Sequence, residues 1–546
     1  MLVTPLDPTQ QLSVTIVVRR PTYNGTTLQD HVEGIVAGTH LVLDHAEFRD
    51  MFGATDDDLD AVASFASAHG LTVENRYHSG ANLILTGTAG AFNSAFGITL
   101  NQVVADDRTY HTYDSELVIP DELNNIIENV LGLDTSVVFT HSARVYDPDT
   151  VGSPSSVPLT PQQVATAYNF PTNDGAGSCV AIIELGGGYT NQNLTSSFSR
   201  IGITPNPTVV TAYGTNNPGN SDADIENMLD IYVVGGIVPK SIIAMYFGTP
   251  SQSGFYNAVA SAINDTVRSP SIISISWGAP EFSKFMDSLF QSAIVKGITV
   301  TVATGDYGSE ASFGSLAYTV QYPASSPYVL ACGGTTLQLN PNGTIANEVV
   351  WNQGSAGSGG GVSNLYLVPT WQAGLTSKLY PTPTVTALRG RGIPDVAGNA
   401  DPATGYQFYY GLPNIFNQFG VGGTSAVAPL YAALFARIAS LGYKVRFINS
   451  VLYSNPQVFQ DITVGNNACP AAQGYSATTG WDACTGLGSP NGQAILNLLE
   501  AGRPKIKDNS GNWVYVQNIK VKTSSSTWSN ITATYTKTNS GWISIG

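Results

Sequence analysis

The chain has 546 residues, a length that predicts roughly three or four domains. Its 23 Lys and Arg residues against 39 Asp and Glu residues give a net charge of −16, which excludes a nucleic-acid binder with its basic surface. A hydrophobic content of 42% predicts a packed core, and only 11% of the residues are charged, a composition that suits acidic conditions. No apolar run reaches the roughly 20 residues of a membrane helix, so we expect no membrane association.

Residues 1–150 have the mixed pattern of an α+β domain. Residues 12–18 (LSVTIVV) alternate as a strand does, and two stretches with helical spacing and glycine stops follow. A β pair is predicted next, then a short helix in AGAFNSAFG and a longer one in PDELNNIIENVLGL, which has proline and acids in its first turn. The Pro-, Ser- and Gly-rich residues 141–160 predict an exposed linker.

Histidine is confined to the first part of the chain. All seven histidines lie within the first 141 residues, and the following 405 residues contain none. A Ser-His-Asp triad or a histidine-ligated zinc in the later part is therefore excluded by composition.

Residues 151–502 alternate apolar, strand-like runs with helical stretches and Gly-rich loops. This rhythm predicts an α/β domain with a mostly parallel sheet, whose active groups lie in loops beyond the strand ends. Residues 503–546 differ, because six basic groups and one acid give them a charge of +5 and leave −21 for the rest. Trp513, Trp528 and Trp542 recur there in alternating surroundings, which predicts a small β appendage.

Ser425 is the first candidate for chemistry. It lies in a Gly-rich loop, GGTSA, directly before a helical stretch, where main-chain N–H groups would face a developing oxyanion. The alternative is an ordinary helix N-cap, a role that serine commonly fills. A serine nucleophile needs a base, and without histidine the base must be a carboxylate or a lysine.

Glu226 and Asp230 are the candidate base and its partner. They are four residues apart and share one face of a helix, where two carboxyls would share a proton rather than both ionise. Asp222 and Glu226 form a competing pair, but Asp230 lies inside an apolar run that predicts burial. A solvated acidic helix start remains the alternative.

Three further residues end strand-like runs. Asp306 follows a strand in VATGDYGS and is either a turn former or a protonated acid that donates to an oxyanion. Glu184 and Trp277 occupy corresponding positions in AIIELGGGY and SISWG.

These motifs together resemble the sedolisins, the serine-carboxyl peptidases built on the subtilisin fold, and above all the kumamolisin-like members. The matching stretches run in family order over about residues 1–500: AIIELGGGY, ENMLDI (226–231), SISWG, TGDYGS, YPASSPYVLACGGT, GGTSAVAP and DITVGNN…GWDACTGLGSP. The resemblance implies a serine-type endopeptidase with protein or peptide substrates. In it Ser425 is the nucleophile, Glu226 the general base and then acid, and Asp230 the residue that orients Glu226. Asp306 would complete the oxyanion hole with the Ser425 N–H group, and Glu184 and Trp277 would extend the network.

The resemblance also implies one structural calcium ion. Asp461 and Asp482 would supply side-chain oxygens, and Ile462, Thr478 and Gly480 main-chain carbonyls, an all-oxygen set that suits Ca²⁺. The family often has glycine at position 478, but a carbonyl ligand tolerates threonine. Two aspartates in ordinary turns are the alternative, and a Cys469–Cys484 pair is left open.

By the same resemblance, residues 1–150 are a ferredoxin-like inhibitory prosegment, and the linker 141–160 holds the self-cleavage bond. We hypothesise that protonation of prosegment histidines near pH 5–6 weakens its contact with the rest of the chain. Ordinary surface histidines are the alternative, and replacement by glutamine would distinguish the two.

Two competing interpretations remain. A non-catalytic or virion-associated structural protein retaining the fold is suggested by the basic tail. An aspartic protease that uses Asp134-Thr135-Ser136 rests on one tripeptide, and inhibition by pepstatin would support it. The first twenty residues lack the positive-then-apolar order of a signal peptide. The expected location is extracellular or, because of the tail and the missing signal-peptide pattern, particle-associated through attachment by the tail.

Overall fold

The computed structural model describes residues 2–105, 108–146, 158–219, 221–312 and 314–501, together with the backbone of six short strands between 505 and 544. The predicted domain boundaries, at 150/151 and 502/503, lie outside the described residues. The helices are Leu28–Val36, His45–Phe52, Asp56–Ala68, Ala89–Phe96, Pro161–Ala167, Asn191–Arg200, Ser221–Ile237, Gln252–Asn264, Asp287–Val295, Val427–Ser440, Asn449–Tyr453 and Gly492–Ala501. None of these described helices is long and apolar enough to cross a bilayer.

The N-terminal region is built on a four-stranded antiparallel sheet. Its strands lie in the spatial order Thr72–Tyr77, Asn82–Thr88, Gln11–Val18 and Ile127–Leu131, and helices connect them in the order βαββαβ. A second sheet joins Leu2–Pro5, Leu100–Ala105 and Arg108–Tyr113. The ferredoxin-like α+β prediction is therefore confirmed.

One predicted helix of this region is wrong. PDELNNIIENVLGL forms a turn followed by the strand Ile127–Leu131, which pairs antiparallel with Gln11–Val18. Pairing at the sheet edge buries Ile127 and Leu131, and this tertiary burial overrides the local helix signal of proline and acids.

The second region is an α/β domain around an eight-stranded sheet. Its strands are Thr208–Tyr213, Ile242–Phe247, Cys179–Glu184, Ile272–Ile275, Thr299–Ala303, Leu330–Leu339, Val396–Asn399 and Ile345–Val350. All neighbours pair in parallel except the last, which pairs antiparallel with Leu330–Leu339. The mostly parallel sheet predicted from the sequence is confirmed.

Two long helices bring the candidate residues to this sheet. Ser221–Ile237, hereafter the acidic helix, packs against Val427–Ser440. Residues 223–237 and the first ten residues of Val427–Ser440 are buried on every side. The continuous apolar sequence of the second helix explains its burial, whereas the acidic helix buries carboxyl groups among its apolar residues. Both helices lie in one core cluster.

The N-terminal region packs on the α/β domain at two places. Its main sheet meets the helix Gln252–Asn264, where Asn257 Nδ2 donates to Thr15 Oγ1 at 2.9 Å. Its first helices form an apolar cluster with the helix Asp287–Val295, to which Val32 and Phe48 contribute. Gln29 at this second contact accepts hydrogen bonds from the side chains of Gln291 and Tyr328, both at 2.6 Å.

The remaining strands are short and lie in small two- and three-stranded sheets. They are Thr140–His141, Arg144–Val145, Trp277–Pro280, Gln321–Tyr322, Gly361–Val362, Thr376–Tyr380, Val385–Ala387, Gly392–Ile393, Tyr409–Tyr410, Ile415–Phe416, Val421–Gly422, Phe459–Gln460, Gly474–Tyr475 and Ser489–Pro490. In the tail, three antiparallel pairs join Lys505–Lys507 to Trp513–Tyr515, Lys520–Lys522 to Trp528–Asn530, and Tyr535–Thr538 to Gly541–Ser544.

Candidate active site

Ser425 lies at the entry to the helix Val427–Ser440. The strand Val421–Gly422 leads to Gly423, whose φ of +104° is accessible to glycine, and a 3-10 turn over Thr424–Ala426 follows. Ser425 is buried, and its Oγ donates to Oε2 of Glu226 at 3.0 Å. The predicted hydroxyl and carboxyl, 199 residues apart in the chain, are thus in contact.

The acidic helix presents Glu226 and Asp230 to the buried side of the site. The side chains of both residues are fully buried. Ser276 Oγ lies 3.0 and 2.8 Å from the two carboxyl oxygens of Asp230. Burial, reinforced by the negative charges of Glu226 and Glu184, raises the pKa of Asp230 well above its ordinary value. The raised pKa favours the neutral form of Asp230, and among the described residues no hydrogen bond joins Glu226 to Asp230.

Glu184 and Trp277 extend this network. Trp277 Nε1 donates to Oε2 of Glu184 at 2.9 Å, and Asn227 Nδ2 donates to the same oxygen at 3.3 Å. Burial and the nearby charge of Glu226 raise the pKa of Glu184 well above its ordinary value, against the donor from Trp277. The carboxyl groups of Glu184, Glu226 and Asp230 are therefore not all ionised together, because the negative charge of one disfavours ionisation of the others.

Asp306 lies on the other side of Ser425, at the end of the strand Thr299–Ala303. Its Oδ1 accepts the Thr424 N–H at 2.8 Å and the Thr424 hydroxyl at 2.9 Å. Burial raises the pKa of Asp306 to about 7, although the Arg144 guanidinium and the donors of Thr424 act in the opposite direction. A carboxyl that holds its proton up to neutral pH is able to donate to an oxyanion.

The end of the prosegment passes through this site as an extended chain. Thr140–His141 pairs antiparallel with Trp277–Pro280, and Arg144–Val145 pairs antiparallel with Val421–Gly422. Between the two pairs, the Ser142 N–H donates to Ser425 Oγ at 3.1 Å. A β-carbon on Gly423 would overlap the carbonyl oxygen of Ser142 and lie 2.5 Å from Oδ2 of Asp306, so both oxygens face the same side of Gly423.

Two cationic side chains of this segment reach the two acids that flank Ser425. His141 Nδ1 lies 3.2 Å from Oε2 of Glu226, and Arg144 Nε lies 3.4 Å from Oδ2 of Asp306. Burial lowers the pKa of His141, but its hydrogen bond and charge interaction with Glu226 prevail and raise it. The His141 contact is therefore fully present below the ordinary value of 6.5 and weakens as the pH rises through the raised pKa. Protonation of this histidine strengthens the contact, which is the opposite of the sequence-based hypothesis.

Two other prosegment histidines, His31 and His45, have pKa shifts in the direction that this hypothesis needs. Burial lowers the pKa of His31, whose ring nitrogen Nε2 lies 2.9 Å from Leu41 O. Burial and the charge of Lys296 lower the pKa of His45. Their neutral forms favour the packed state, so this stability is present above 6.5 and is lost as the pH falls towards the lowered values.

The residues of the predicted calcium site meet around one loop. Asp461 Oδ2 accepts the Gly480 N–H at 2.8 Å, and buried Asp482 accepts the Thr478 N–H through Oδ2 at 3.0 Å. Among the described residues, no three His, Cys, Asp or Glu side chains converge to hold a metal, so a cation here would depend on main-chain oxygens. No hydrogen bond between described residues ends on the carbonyl oxygens of Ile462, Thr478 or Gly480. The donor set is therefore compatible with a hard cation.

The four cysteines are buried free thiols, so Cys469 and Cys484 are unpaired with each other in this structure. Asp134, the residue proposed for an aspartic protease, accepts the Ser136 N–H at 2.8 Å and serves as a turn former.

Several residues of the site were not identified from the sequence. Ser276 and Thr424 precede the predicted residues Trp277 and Ser425, and Ser142 lies in the predicted linker, but serine and threonine are too common for position alone to single them out. Asp224, in the first turn of the acidic helix, is buried and accepts the N–H groups of Gly188 and Gly219 at 2.8 and 2.7 Å. His141 and Arg144 lie inside the predicted linker 141–160 and were detectable there as cationic side chains.

Comparisons with known proteins match the N-terminal region and the α/β domain to two different family models. Residues 1–136 match the pro-kumamolisin activation domain, and residues 208–481 match the subtilase family. Kumamolisin from Bacillus sp. (strain MN-32) is 41% identical over 523 residues, which cover 91% of this chain and 93% of that protein. Sedolisin from Pseudomonas sp. (strain 101) is 29% identical over 492 residues, 82% of this chain and 80% of that protein.

A solved structure agrees with these relatives. Pseudomonas sedolisin, complexed with two molecules of pseudo-iodotyrostatin, superimposes with a TM-score of 0.53 at 27% identity, over 64% of this chain and 99% of that one. The named relatives are serine-carboxyl peptidases, so the non-catalytic interpretation is wrong. The chain belongs to the serine-carboxyl peptidases of the subtilase family and carries a prosegment of the pro-kumamolisin type.

Proposed function

We propose that the chain is an endopeptidase active at acidic pH, in which Ser425, Glu226 and Asp230 form the catalytic triad and Asp306 the oxyanion hole. The observation that carries this proposal is the 3.0 Å hydrogen bond from Ser425 Oγ to Glu226 Oε2 in a buried site without histidine from its own domain. Glu184 and Trp277 support the triad as positioning residues.

The reaction begins with a proton transfer. Glu226 takes the hydroxyl proton as Ser425 Oγ attacks the peptide carbonyl carbon, and Asp306 donates a hydrogen bond to the oxyanion. Glu226 then gives the proton to the leaving amine as the C–N bond breaks, which leaves an ester on Ser425. Water, activated by Glu226, hydrolyses that ester. Neutral Asp230 and Glu184 favour the single negative charge that Glu226 needs as a base.

The proposed roles set the pH range. Asp306 must be protonated to donate, and burial raises its pKa to about 7, so the donating form is lost as the pH rises through that value. Glu226 must be ionised to accept a proton, which limits activity at the acid end. An acidic window satisfies both requirements.

We further propose that the chain cleaves itself between Ser142 and Ala143. The pairing of His141 with Trp277 and of Arg144 with Gly422 stretches this segment across Ser425 like a substrate. The carbonyl oxygen of Ser142 faces the same side of Gly423 as Oδ2 of Asp306, the position an oxyanion requires. The cut would fall inside the predicted linker 141–160 and separate residues 1–142 from the rest.

The Arg144 pair explains why the uncut chain would be inactive at neutral pH. Arg144 favours ionised Asp306, which is unable to donate a hydrogen bond to the oxyanion. Acid protonates Asp306 in spite of Arg144 and restores the donor. The prosegment would thus be both inhibitor and first substrate.

A structural Ca²⁺ is proposed at the loop 478–482. Asp461 and Asp482 would hold it with the carbonyl groups of Ile462, Thr478 and Gly480, and the ion would contribute stability rather than chemistry. An extracellular or particle-associated location, with attachment through residues 503–546, remains a proposal that rests on the basic composition of that tail.

A test of the proposed triad compares wild-type chain with Glu226→Gln on an internally quenched peptide at pH 3–8. Glutamine keeps the shape and the hydrogen bond but accepts no proton, so we expect a rate loss on the order of 10²–10⁴-fold. Asp222→Asn, at the exposed start of the same helix, is the matched control and should keep its activity. Equal rates for Glu226→Gln and wild-type chain would exclude Glu226 as the base.

A further inference from the structure

We propose that Thr424 is a positioning residue that keeps the acidic proton of Asp306 on Oδ2, the oxygen that faces the scissile carbonyl group. The inference rests on the proposed function and extends it to a residue outside the triad and the oxyanion hole.

The Thr424 hydroxyl group donates one hydrogen bond through its proton and accepts others through its oxygen. The Gly305 N–H donates to Thr424 Oγ1 at 3.0 Å, so this oxygen already serves as an acceptor on that side. The nearest acceptor for its own proton is Asp306 Oδ1, at 2.9 Å. The Gly305 N–H therefore fixes the direction in which the hydroxyl donates.

The two carboxyl oxygens of Asp306 differ in their hydrogen bonds. Oδ1 receives two donors from one residue, the N–H and the hydroxyl of Thr424, at 2.8 and 2.9 Å. A proton on Oδ1 would point at a donor hydrogen, so neutral Asp306 must carry its proton on Oδ2. Oδ2 is buried and accepts no hydrogen bond from the described residues.

Oδ2 of Asp306 faces the chain segment that crosses the site. Among the described residues, Arg144 is the cation paired with Oδ2, and its Nε lies 3.4 Å away. The negative charge of Glu226 also acts on Asp306 and raises its pKa. The Ser142 carbonyl oxygen lies on the same side of Gly423 as Oδ2. A proton held on Oδ2 is thus directed to where the oxyanion develops, and no rotation of the carboxyl group is needed during the reaction.

The alternative role of Thr424 is packing. Its methyl carbon lies 3.6 Å from the position of a β-carbon on Gly334. Valine retains this methyl group and removes the hydroxyl, whereas serine retains the hydroxyl and removes the methyl group. The two roles therefore predict opposite orders of activity.

The test measures kcat and KM for wild-type, Thr424→Ser and Thr424→Val chains on the quenched peptide, after activation at pH 4. We expect Thr424→Ser to stay within about threefold of wild type and Thr424→Val to lose about 10- to 100-fold in kcat at little change in KM. The alkaline limb of the Thr424→Val profile should move to higher pH, because a donor that favours ionised Asp306 is gone. If Thr424→Val does not fold, Thr424→Ala replaces it with the same expectation.

A Val or Ala variant with wild-type kcat, or a Ser variant impaired more than the Val variant, would overturn the role of Thr424. If instead wild-type chain has no activity that Ser425→Ala abolishes, the proposed function fails. The two failures are therefore distinguishable.

Discussion

Arg144 Nε lies 3.4 Å from Oδ2 of Asp306, so the segment that follows the proposed cleavage bond supplies a positive charge to the acid proposed for the oxyanion hole. The guanidinium also lies over the Tyr307 ring, 4.4 Å from its centroid. This cation favours ionised Asp306 and therefore opposes self-cleavage until the pH falls.

Replacement of Arg144 by glutamine should raise the pH at which self-cleavage begins. Loss of the cation raises the pKa of Asp306 further, so the donating form persists to higher pH, by about one unit or more. The measurement is the rate of self-cleavage from pH 3 to 8, read by gel and mass spectrometry. Arg76→Gln, which removes an exposed prosegment cation, is the control. An unchanged pH profile for Arg144→Gln would show that Arg144 does not govern activation.

Asp306→Asn should remove the alkaline limb of peptide hydrolysis near pH 7. The amide donates at every pH, and the donors of Thr424 would hold its oxygen at the Oδ1 position and its nitrogen at the Oδ2 position. Activity should fall, yet remain above that of Asp306→Ala, which has no donor. If the activity of Asp306→Asn still decreases near pH 7, the alkaline limb of the pH profile is caused by a group other than Asp306.

His31→Gln with His45→Gln should reduce the acid sensitivity of the prosegment. Packing lowers the pKa of both histidines, so their contribution to stability is lost as the pH falls below 6.5, and glutamine has no such loss. Calorimetry of the uncut Ser425→Ala chain from pH 7 to 5 should show a smaller drop in the Tm of the prosegment transition. His69→Gln serves as the control, because the His69 ring bonds to Phe65 O within its own helix. Equal decreases of Tm in the double variant and its parent would show that His31 and His45 do not cause the acid sensitivity of the prosegment.

Calcium should raise the Tm of the catalytic domain, and a chelator should lower it. Asp482→Asn, which keeps the shape of a side chain that accepts four hydrogen bonds, should lose most of the calcium response. Asp174→Asn, at a surface pair with Lys240, is the control for loss of one carboxylate. A calcium response that survives in Asp482→Asn would place the ion elsewhere, and no response in wild-type chain would contradict the site.

The sequence allowed the broad fold and the acidic members of the site to be predicted, because both rest on local patterns. Apolar runs that alternate with helices predict a parallel sheet. Glu184 ends one of its strands, and Asp306 lies in the loop that follows another. The absence of histidine after residue 141 directs attention to Glu226 and Asp230.

What could not be predicted depends on contacts between distant segments. The strand Ile127–Leu131 exists because Gln11–Val18 offers it an edge, which no local pattern records. The sign of the His141 effect depends on Glu226, a partner 85 residues later in the chain, so a histidine expected to release the prosegment in acid holds it instead. Thr424 matters through Gly305 and Asp306, both distant in sequence.

The most direct test of the account is incubation of the purified full chain at pH 4, with Ser425→Ala beside it, followed by mass spectrometry of the products. The account predicts that wild-type chain yields a fragment that begins at Ala143, while Ser425→Ala stays intact. Cleavage of both chains at the same bond, or persistence of both, would contradict it.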